Sequence, residues 1–171
     1  MSRDAWLGSP VPQRRFGVKG PQAADLLRQH GLTVPAQPNH WAPMRDSERD
    51  DSWNVIGRLG STEFFLEESG DASGIAALEK ITVEGAPGAY PVLREDFAVV
   101  LGGPRAPDVL AQVCNVNFAA ISDRAVVMTL MIGVAVLVMP QSTDEGKVYR
   151  IWCDPSYGSY LQSELEQMVK P

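Results

Sequence analysis

Two histidines, two cysteines, a short acidic run and a scatter of large aromatics are the side chains of this 171-residue chain best suited to chemistry. Nucleophilic catalysis needs a base beside the nucleophile, most often histidine. His30 closes a helical stretch, where a polar or positive group favours the free carbonyls of the last turn, so a cap-like role outweighs catalysis. His40 stands in Pro38-Asn39-His40-Trp41 on a long polar stretch, a setting in which binding residues occur. Cys114 and Cys153 lie far apart with no second thiol two or three residues away, which excludes a zinc ribbon, a redox pair and an iron-sulfur motif. A reduced, cytoplasmic protein fits that usage.

The run Asp46-Ser47-Glu48-Arg49-Asp50-Asp51 alternates carboxylates as a calcium loop does. An EF-hand loop wants glycine sixth and a carboxylate twelfth, and from Asp46 those places hold Asp51 and Gly57. A solvated loop is the better reading. Gly102-Gly103-Pro104-Arg105 could open a helix whose free N–H groups hold an anion with help from Arg105. It has neither a Walker lysine nor the three-glycine dinucleotide spacing, which favours a plain tight turn. Trp41, Trp53, Tyr90 and Trp152 could stack on a flat heterocycle such as a pterin, although burial in a core or an interface is the ordinary use of such rings. No metal site and no catalytic constellation emerges.

The elements that must position these residues follow from size, charge and pattern. A chain this long hides roughly 70% of its extended-chain surface on folding, so neither metal nor disulfide is required. A net charge of −6 favours solubility and disfavours nucleic acid as a partner. Residues 1–20 carry +3 and leave −9 for the rest, so the start of the chain is expected as an extended basic arm over 1–13, with Arg14 and Arg15 as contact candidates for an acidic neighbour. No apolar stretch of signal-peptide length follows the first charges. The uncharged stretch interrupted by Thr129, Gly133 and Pro140 is short for a bilayer span and is expected as two buried strands.

A repeat explains the order of the segments. Gly20-Pro21-Gln22-Ala23-Ala24-Asp25-Leu26-Leu27-Arg28-Gln29 matches Gly103-Pro104-Arg105-Ala106-Pro107-Asp108-Val109-Leu110-Ala111-Gln112 at an offset of 83, with Gly, Pro, Ala, Asp, Leu and Gln coincident. Each copy follows an apolar stretch and has the grammar of a strand turning into a helix, with glycine in the turn and proline at the first helical position. Gly31 is placed to end the first helix. Strands are expected over 54–59, 62–67, 125–131, 134–139 and 148–153, and helices over 72–81 and 156–169. The segments 34–52 and 84–91 are expected as surface connections. The fold class is therefore α+β, with two similar strand-helix-strand-strand-helix halves, about 14–84 and 92–171, forming one pseudo-two-fold domain over 14–171.

The Gly-Pro-x-Ala turns, the step Cys114-Asn115-Val116-Asn117 and the segment Tyr149-Arg150-Ile151-Trp152-Cys153-Asp154-Pro155-Ser156-Tyr157-Gly158-Ser159-Tyr160-Leu161 resemble the gamma subunit family of heterotetrameric sarcosine oxidase. That family is itself similar to the N-terminal part of glycine-cleavage aminomethyltransferases. The resemblance runs from about Arg14 to Met168 and takes in Arg58-Leu59-Gly60-Ser61-Thr62-Glu63-Phe64-Phe65-Leu66. It implies an aminomethyltransferase-like domain serving as the structural, non-catalytic subunit of a flavoenzyme that oxidatively demethylates sarcosine or a related N-methyl amine and passes the one-carbon unit to tetrahydrofolate.

In such a complex the large subunits carry FAD, FMN, NAD and the folate site, and a small subunit binds zinc. The partners implied are therefore flavin-binding and zinc-binding subunits, with no membrane. Interface candidates are Arg14, Arg15, His40, Trp41, Tyr157 and Tyr160. The alternative is a stand-alone tetrahydrofolate-binding protein, with Trp41 or Trp152 on the pterin, Asp96 or Asp108 on its amine, and Arg105 as a further contact. A third is an adaptor for some other enzyme complex.

Overall fold

A computed structural model describes residues 4–9, 13–46 and 53–170 of the chain. It contains ten strands: β1 (Trp6–Gly8), β2 (Arg14–Lys19), β3 (His40–Pro43), β4 (Val55–Arg58), β5 (Glu63–Glu68), β6 (Tyr90–Leu93), β7 (Phe97–Gly102), β8 (Val127–Met131), β9 (Val134–Thr143) and β10 (Gly146–Cys153). Four α-helices accompany them: α1 (Ala23–Gln29), α2 (Ser73–Glu84), α3 (Ala106–Val113) and α4 (Gly158–Met168). No helix among the described residues is long and apolar enough to cross a membrane.

The chain divides into two compact units, Val11–Arg94 and Met1–Pro10 with Glu95–Pro171. In the first, an antiparallel sheet of order β3-β4-β5-β2-β6 carries α1 and α2 on one face. Phe16, Val18, Ile56, Phe64 and Leu66 alternate inward along the strands and pack with Ala23 and Leu27 of α1 and Ile75 and Leu78 of α2. In the second, an antiparallel sheet of order β1-β7-β10-β9-β8 carries α3 and α4. Val99, Leu101, Val136, Val138, Tyr149 and Ile151 there meet Ala106, Val109, Leu110, Leu161 and Leu165. Burial of each such side chain contributes roughly 1.5–3 kcal/mol, which makes these two faces the stabilising cores.

Both sheets have one strand order once β2, β3, β4, β5 and β6 are set against β7, β8, β9, β10 and β1. The register agrees as well. Lys19, Val18 and Gly17 face Tyr90, Pro91 and Val92, and the residues 83 positions on, Gly102, Leu101 and Val100, face Trp6, Leu7 and Gly8. The edge strand of the second sheet thus comes from the start of the chain, and that of the first comes from the segment just before β7.

Three expected coils are corrected by these pairings. The arm over 1–13 contributes β1, because Trp6 covers Gly102, where a Cβ would collide with the indole. The connection over 34–52 contributes β3, in which Trp41 and Pro43 are buried and His40 and Ala42 are less so. The connection over 84–91 ends in β6, paired with β2. The first half therefore has three strands between its helices where 54–59 and 62–67 were expected, and the second has three, as its expected strands 125–131, 134–139 and 148–153 required. The prolines are also placed differently from expectation. Gly20 and Gly103 have φ of +126° and +100°, and their carbonyls accept the N–H of Ala23 and Ala106 at 3.0 Å in both turns. Pro21 and Pro104 are the second residues of these β-turns, where fixed φ is favoured, and the helices begin two residues later.

Gly31 does end α1. Its N–H reaches the Arg28 carbonyl at 3.0 Å and the Leu32 N–H reaches Leu27 at 3.1 Å, the paired bonds of a Schellman cap.

Candidate functional site

The first unit uses its charged residues to brace its own elements. Arg58 ends β4 with its guanidinium 5.6 Å from the Phe64 ring centroid and donates to four carbonyls, Pro35 at 3.1 Å, Ala36 at 2.9 Å, Gly60 at 3.2 Å and Ser61 at 2.8 Å. These four bonds all go to backbone, which ties the segment before β3 to the β4–β5 turn. Arg14 pairs with Glu79 of α2, and Arg15 pairs with fully buried Glu67 across the β2–β5 ladder. Glu68 takes Arg45 at 3.0 Å and the Ile75 N–H of α2 at 2.8 Å, so a strand carboxylate satisfies one of the free amides of the helix start.

His30 is the exposed C-cap residue of α1. His40 begins β3 with Nδ1 3.0 Å from the Pro38 carbonyl, and Trp41 beside it is buried opposite Gly57. Neither ring is placed beside a nucleophile by any hydrogen bond described. Asp46 accepts from Thr33 Oγ1 at 2.8 Å, and the remainder of the acidic run, 47–51, lies outside the described residues. Among the described residues no three His, Cys, Asp or Glu side chains gather as metal ligands would.

In the second unit the turn at Gly103 leaves little for an anion. The Arg105 N–H goes to the Asp4 carbonyl at 2.7 Å, those of Asp108 and Val109 go to the Arg105 carbonyl at 3.1 Å, and Pro104 and Pro107 have none. The start of α3 is thus internally satisfied, and Arg105 is exposed beside it. Trp152 lies four residues along the ladder from the Gly102 level, roughly 13 Å at strand rise, so Arg105 and Trp152 stand at opposite ends of the sheet. Trp152 is buried on the face turned away from the helices, with the Arg150 guanidinium 5.0 Å from its ring centroid. Asp96 precedes β7 and Asp108 lies in the first turn of α3, beyond opposite ends of that strand.

A cleft of about 710 Å³ opens at the Gly102 end of this unit, lined by Trp6, Pro104, Pro107, Glu145, Lys147 and Tyr149 among others. Lys147 donates to the Ile121 carbonyl at 3.1 Å, pairs with Asp123 at 2.8 Å and lies 5.8 Å from the Tyr149 ring centroid. That ammonium, together with the Ser142 hydroxyl, holds the Asp123 carboxyl below its ordinary value, while burial pushes the Tyr149 phenol up. Burial, with Asp154 and Asp96 nearby, raises the Cys153 thiol to about 11. A thiol so protonated at neutral pH is no nucleophile, since the thiolate is the reactive form. Tyr157 and Tyr160 stand half-exposed at the start of α4, and the Tyr160 hydroxyl donates to the Ile132 carbonyl at 3.3 Å.

The sequence reading did not single out Arg58, Arg150 or the Lys147–Asp123 pair. Arg150 was visible only as a charge inside a largely apolar strand, the usual trace of a buried cation, and Arg58 as a charge at the end of one. The Lys147–Asp123 pair left no trace, because its members lie on a strand and a loop more than twenty residues apart.

This arrangement of strands and helices is shared with solved structures of known proteins. No family model and no curated protein matches the sequence. Among solved structures, the chain is similar to a chain of the heterotetrameric sarcosine oxidase from Corynebacterium sp. U-96, solved in complex with pyrrole 2-carboxylate, with a TM-score of 0.79 and 18% identity over 99% of this chain and 85% of that one. It is also similar to the glycine cleavage system aminomethyltransferase T of Bartonella henselae, with a TM-score of 0.75 and 17% identity over 96% of this chain. There it spans 46% of the other chain, less than half of that transferase.

Proposed function

We propose that this chain is a non-catalytic, structural subunit of a hetero-oligomeric flavoenzyme of the sarcosine oxidase type. The observation that supports the reading is likeness of fold, since 99% of the chain superimposes on a sarcosine oxidase chain with a TM-score of 0.79. Its chemistry is consistent with such a role. Arg58, Arg15 and Arg45 are spent on backbone carbonyls and carboxylates, and the Cys153 thiol stays protonated. In this reading FAD, FMN, NAD, tetrahydrofolate and zinc belong to partner subunits, and the complex demethylates sarcosine or a related N-methyl amine.

Co-purification tests it. The native protein, tagged at one terminus and isolated gently from its host, is expected to bring down a flavoprotein in fixed stoichiometry. Recovery as a free monomer without flavin absorbance overturns the proposal.

The likeness to the aminomethyltransferase supports a second reading, a stand-alone tetrahydrofolate-binding protein. Titration with tetrahydrofolate would then give a saturable change in tryptophan emission, and an unchanged spectrum at high ligand would remove it.

A further inference from the structure

Helix α4 carries a partly exposed stripe beside its core-facing side. Tyr157, Tyr160, Glu164 and Met168 follow one another at three- and four-residue spacing, so they lie along one side of the helix, while Gly158, Leu161 and Leu165 face the core. Tyr157 is 53% exposed, Tyr160 49% and Met168 37%. Two half-exposed tyrosines and a methionine on one helix are the side chains in which protein interfaces are enriched.

The fold itself does not call for them. In the first unit α2 occupies the equivalent place and presents Ala76, Ala77, Lys80 and Val83 to solvent, with no aromatic residue. The stripe is also held in place in advance. Tyr160 is tethered to the Ile132 carbonyl, Gly158 packs against Phe97 so closely that a Cβ would meet the ring at 2.6 Å, and the Ser156 N–H is held by the Asp154 carboxylate at 2.9 Å. An ordered side chain loses less entropy on association than a free one.

The ionisable side chain on the stripe itself is Glu164, with Asp154 and Glu166 also acidic on this segment, while Lys170 and Arg105 line the cleft at the Met168 end. Glu166 accepts from Gln162 at 2.7 Å and Asp154 serves Ser156, which leaves the Glu164 carboxylate on the stripe between Tyr160 and Met168. A carboxylate beside a phenol ring suits guanidinium, whose plane stacks on an aromatic face while its N–H groups bind the oxygens.

We propose that the outward stripe of α4, Tyr157, Tyr160, Glu164 and Met168, docks an arginine-bearing basic face of a partner subunit. This rests on the reading of the chain as a subunit of a hetero-oligomer. The experiment uses the complex isolated from the host through a tag on this chain, and compares amide exchange over α4 in the complex and in the separated subunit. Peptides covering 157–168 are expected to exchange more slowly in the complex, together with a partner peptide containing arginine. Tyr160→Ala and Glu164→Lys are expected to weaken assembly roughly tenfold or more, as central interface residues do, while each isolated variant keeps its thermal midpoint. Added salt is expected to weaken the wild-type complex more than that of Glu164→Gln.

A complex that forms with α4 exchanging at the free rate overturns the docking proposal and leaves the subunit reading intact. So does unimpaired assembly of both variants. Failure to recover any complex overturns both.

Discussion

The N–H of Arg105 donates to the carbonyl of Asp4 at 2.7 Å, and Gln22, its counterpart 83 residues earlier, donates in the same way to Gly88 at 2.9 Å. Asp4 stands two residues before β1, and Gly88 two residues before β6. The repeat is therefore kept down to the bond that fixes each edge strand to the turn before a helix, although one edge strand arrives from the start of the chain. Such a bond aligns β1 on β7 before any side chain is counted, and Trp6 then lies over Gly102.

Trp6→Ala is expected to lower stability by about 2 kcal/mol, since an aromatic ring is removed from a partly exposed site. For a chain of this length that corresponds to a fall of roughly 4–8 °C in thermal midpoint. Gly102→Ala is expected to destabilise as well, because its methyl would enter the space of the indole. In the double variant the methyl has room, so the two losses should add to less than their sum, and a strictly additive cycle in denaturant titrations would remove the contact from the account.

At Gly74 the prediction reverses the usual sign. Alanine at an exposed helix position ordinarily gains about 1 kcal/mol over glycine. Here a Cβ would stand 2.6 Å from Arg45 Nη2 and 2.9 Å from Glu68 Oε1. Gly74→Ala is therefore expected to destabilise, by disturbing the ion pair that caps α2. Glu68→Ala should cost about 1.5–3 kcal/mol, the range for losing hydrogen bonds to a charged group. Urea unfolding of the two variants separates the cases, and a Gly74→Ala protein more stable than the parent would contradict the packing.

How far the amino-acid order announced this architecture depends on how many neighbours a strand has. β2, β4, β5, β7, β9 and β10 pair on both sides, so their residues are selected for burial and show as apolar stretches. β1, β3, β6 and β8 are edge strands, and β8, five residues without proline, was expected as a strand; β1, β3 and β6 have only three or four residues, and Pro43 and Pro91 sit in two of them, as edge positions tolerate. They looked like coil for that reason. The site candidates fared according to local context: the repeat disclosed the turn at Arg105, while the separation of Arg105 from Trp152 depends on strand register, which no local pattern carries. Arg15 looked like part of a basic arm because its partner Glu67 is supplied by a strand fifty residues later.

The Asp123–Lys147 pair gives an acid-range test. The folded carboxyl is held below its ordinary value, near about 3.9, by Lys147 and Ser142, so the folded state binds that proton more weakly than the unfolded chain. Its stabilisation is complete above the unfolded value and is lost as pH falls through the folded one. Both side chains are partly exposed, which limits the contribution to about 0.5 kcal/mol. Asp123→Asn should therefore unfold more easily than the parent at neutral pH, and the gap between the two should close as the pH is taken below about 4. A gap that stays constant through the acid range would show that the charge of Asp123 is not what stabilises.

Cys153 supplies the alkaline counterpart. Its thiol titrates at about 11 in the fold and near about 8.5 when unfolded, so above the lower value the unfolded chain sheds a proton that the folded one keeps. The sign is fixed by that difference: stability falls as pH rises beyond the unfolded value, and replacing the thiol by a group that does not ionise should flatten the fall. Cys153→Ala, which leaves only a small void, is expected to show a shallower loss of thermal midpoint through the alkaline range than the parent. The same burial predicts that neither Cys153 nor Cys114 reacts with an aromatic disulfide reagent at mildly alkaline pH until denaturant is added, when both thiols appear together. Rapid modification of Cys153 in the native protein would mean that β10 opens far more readily than its position in the middle of the sheet requires.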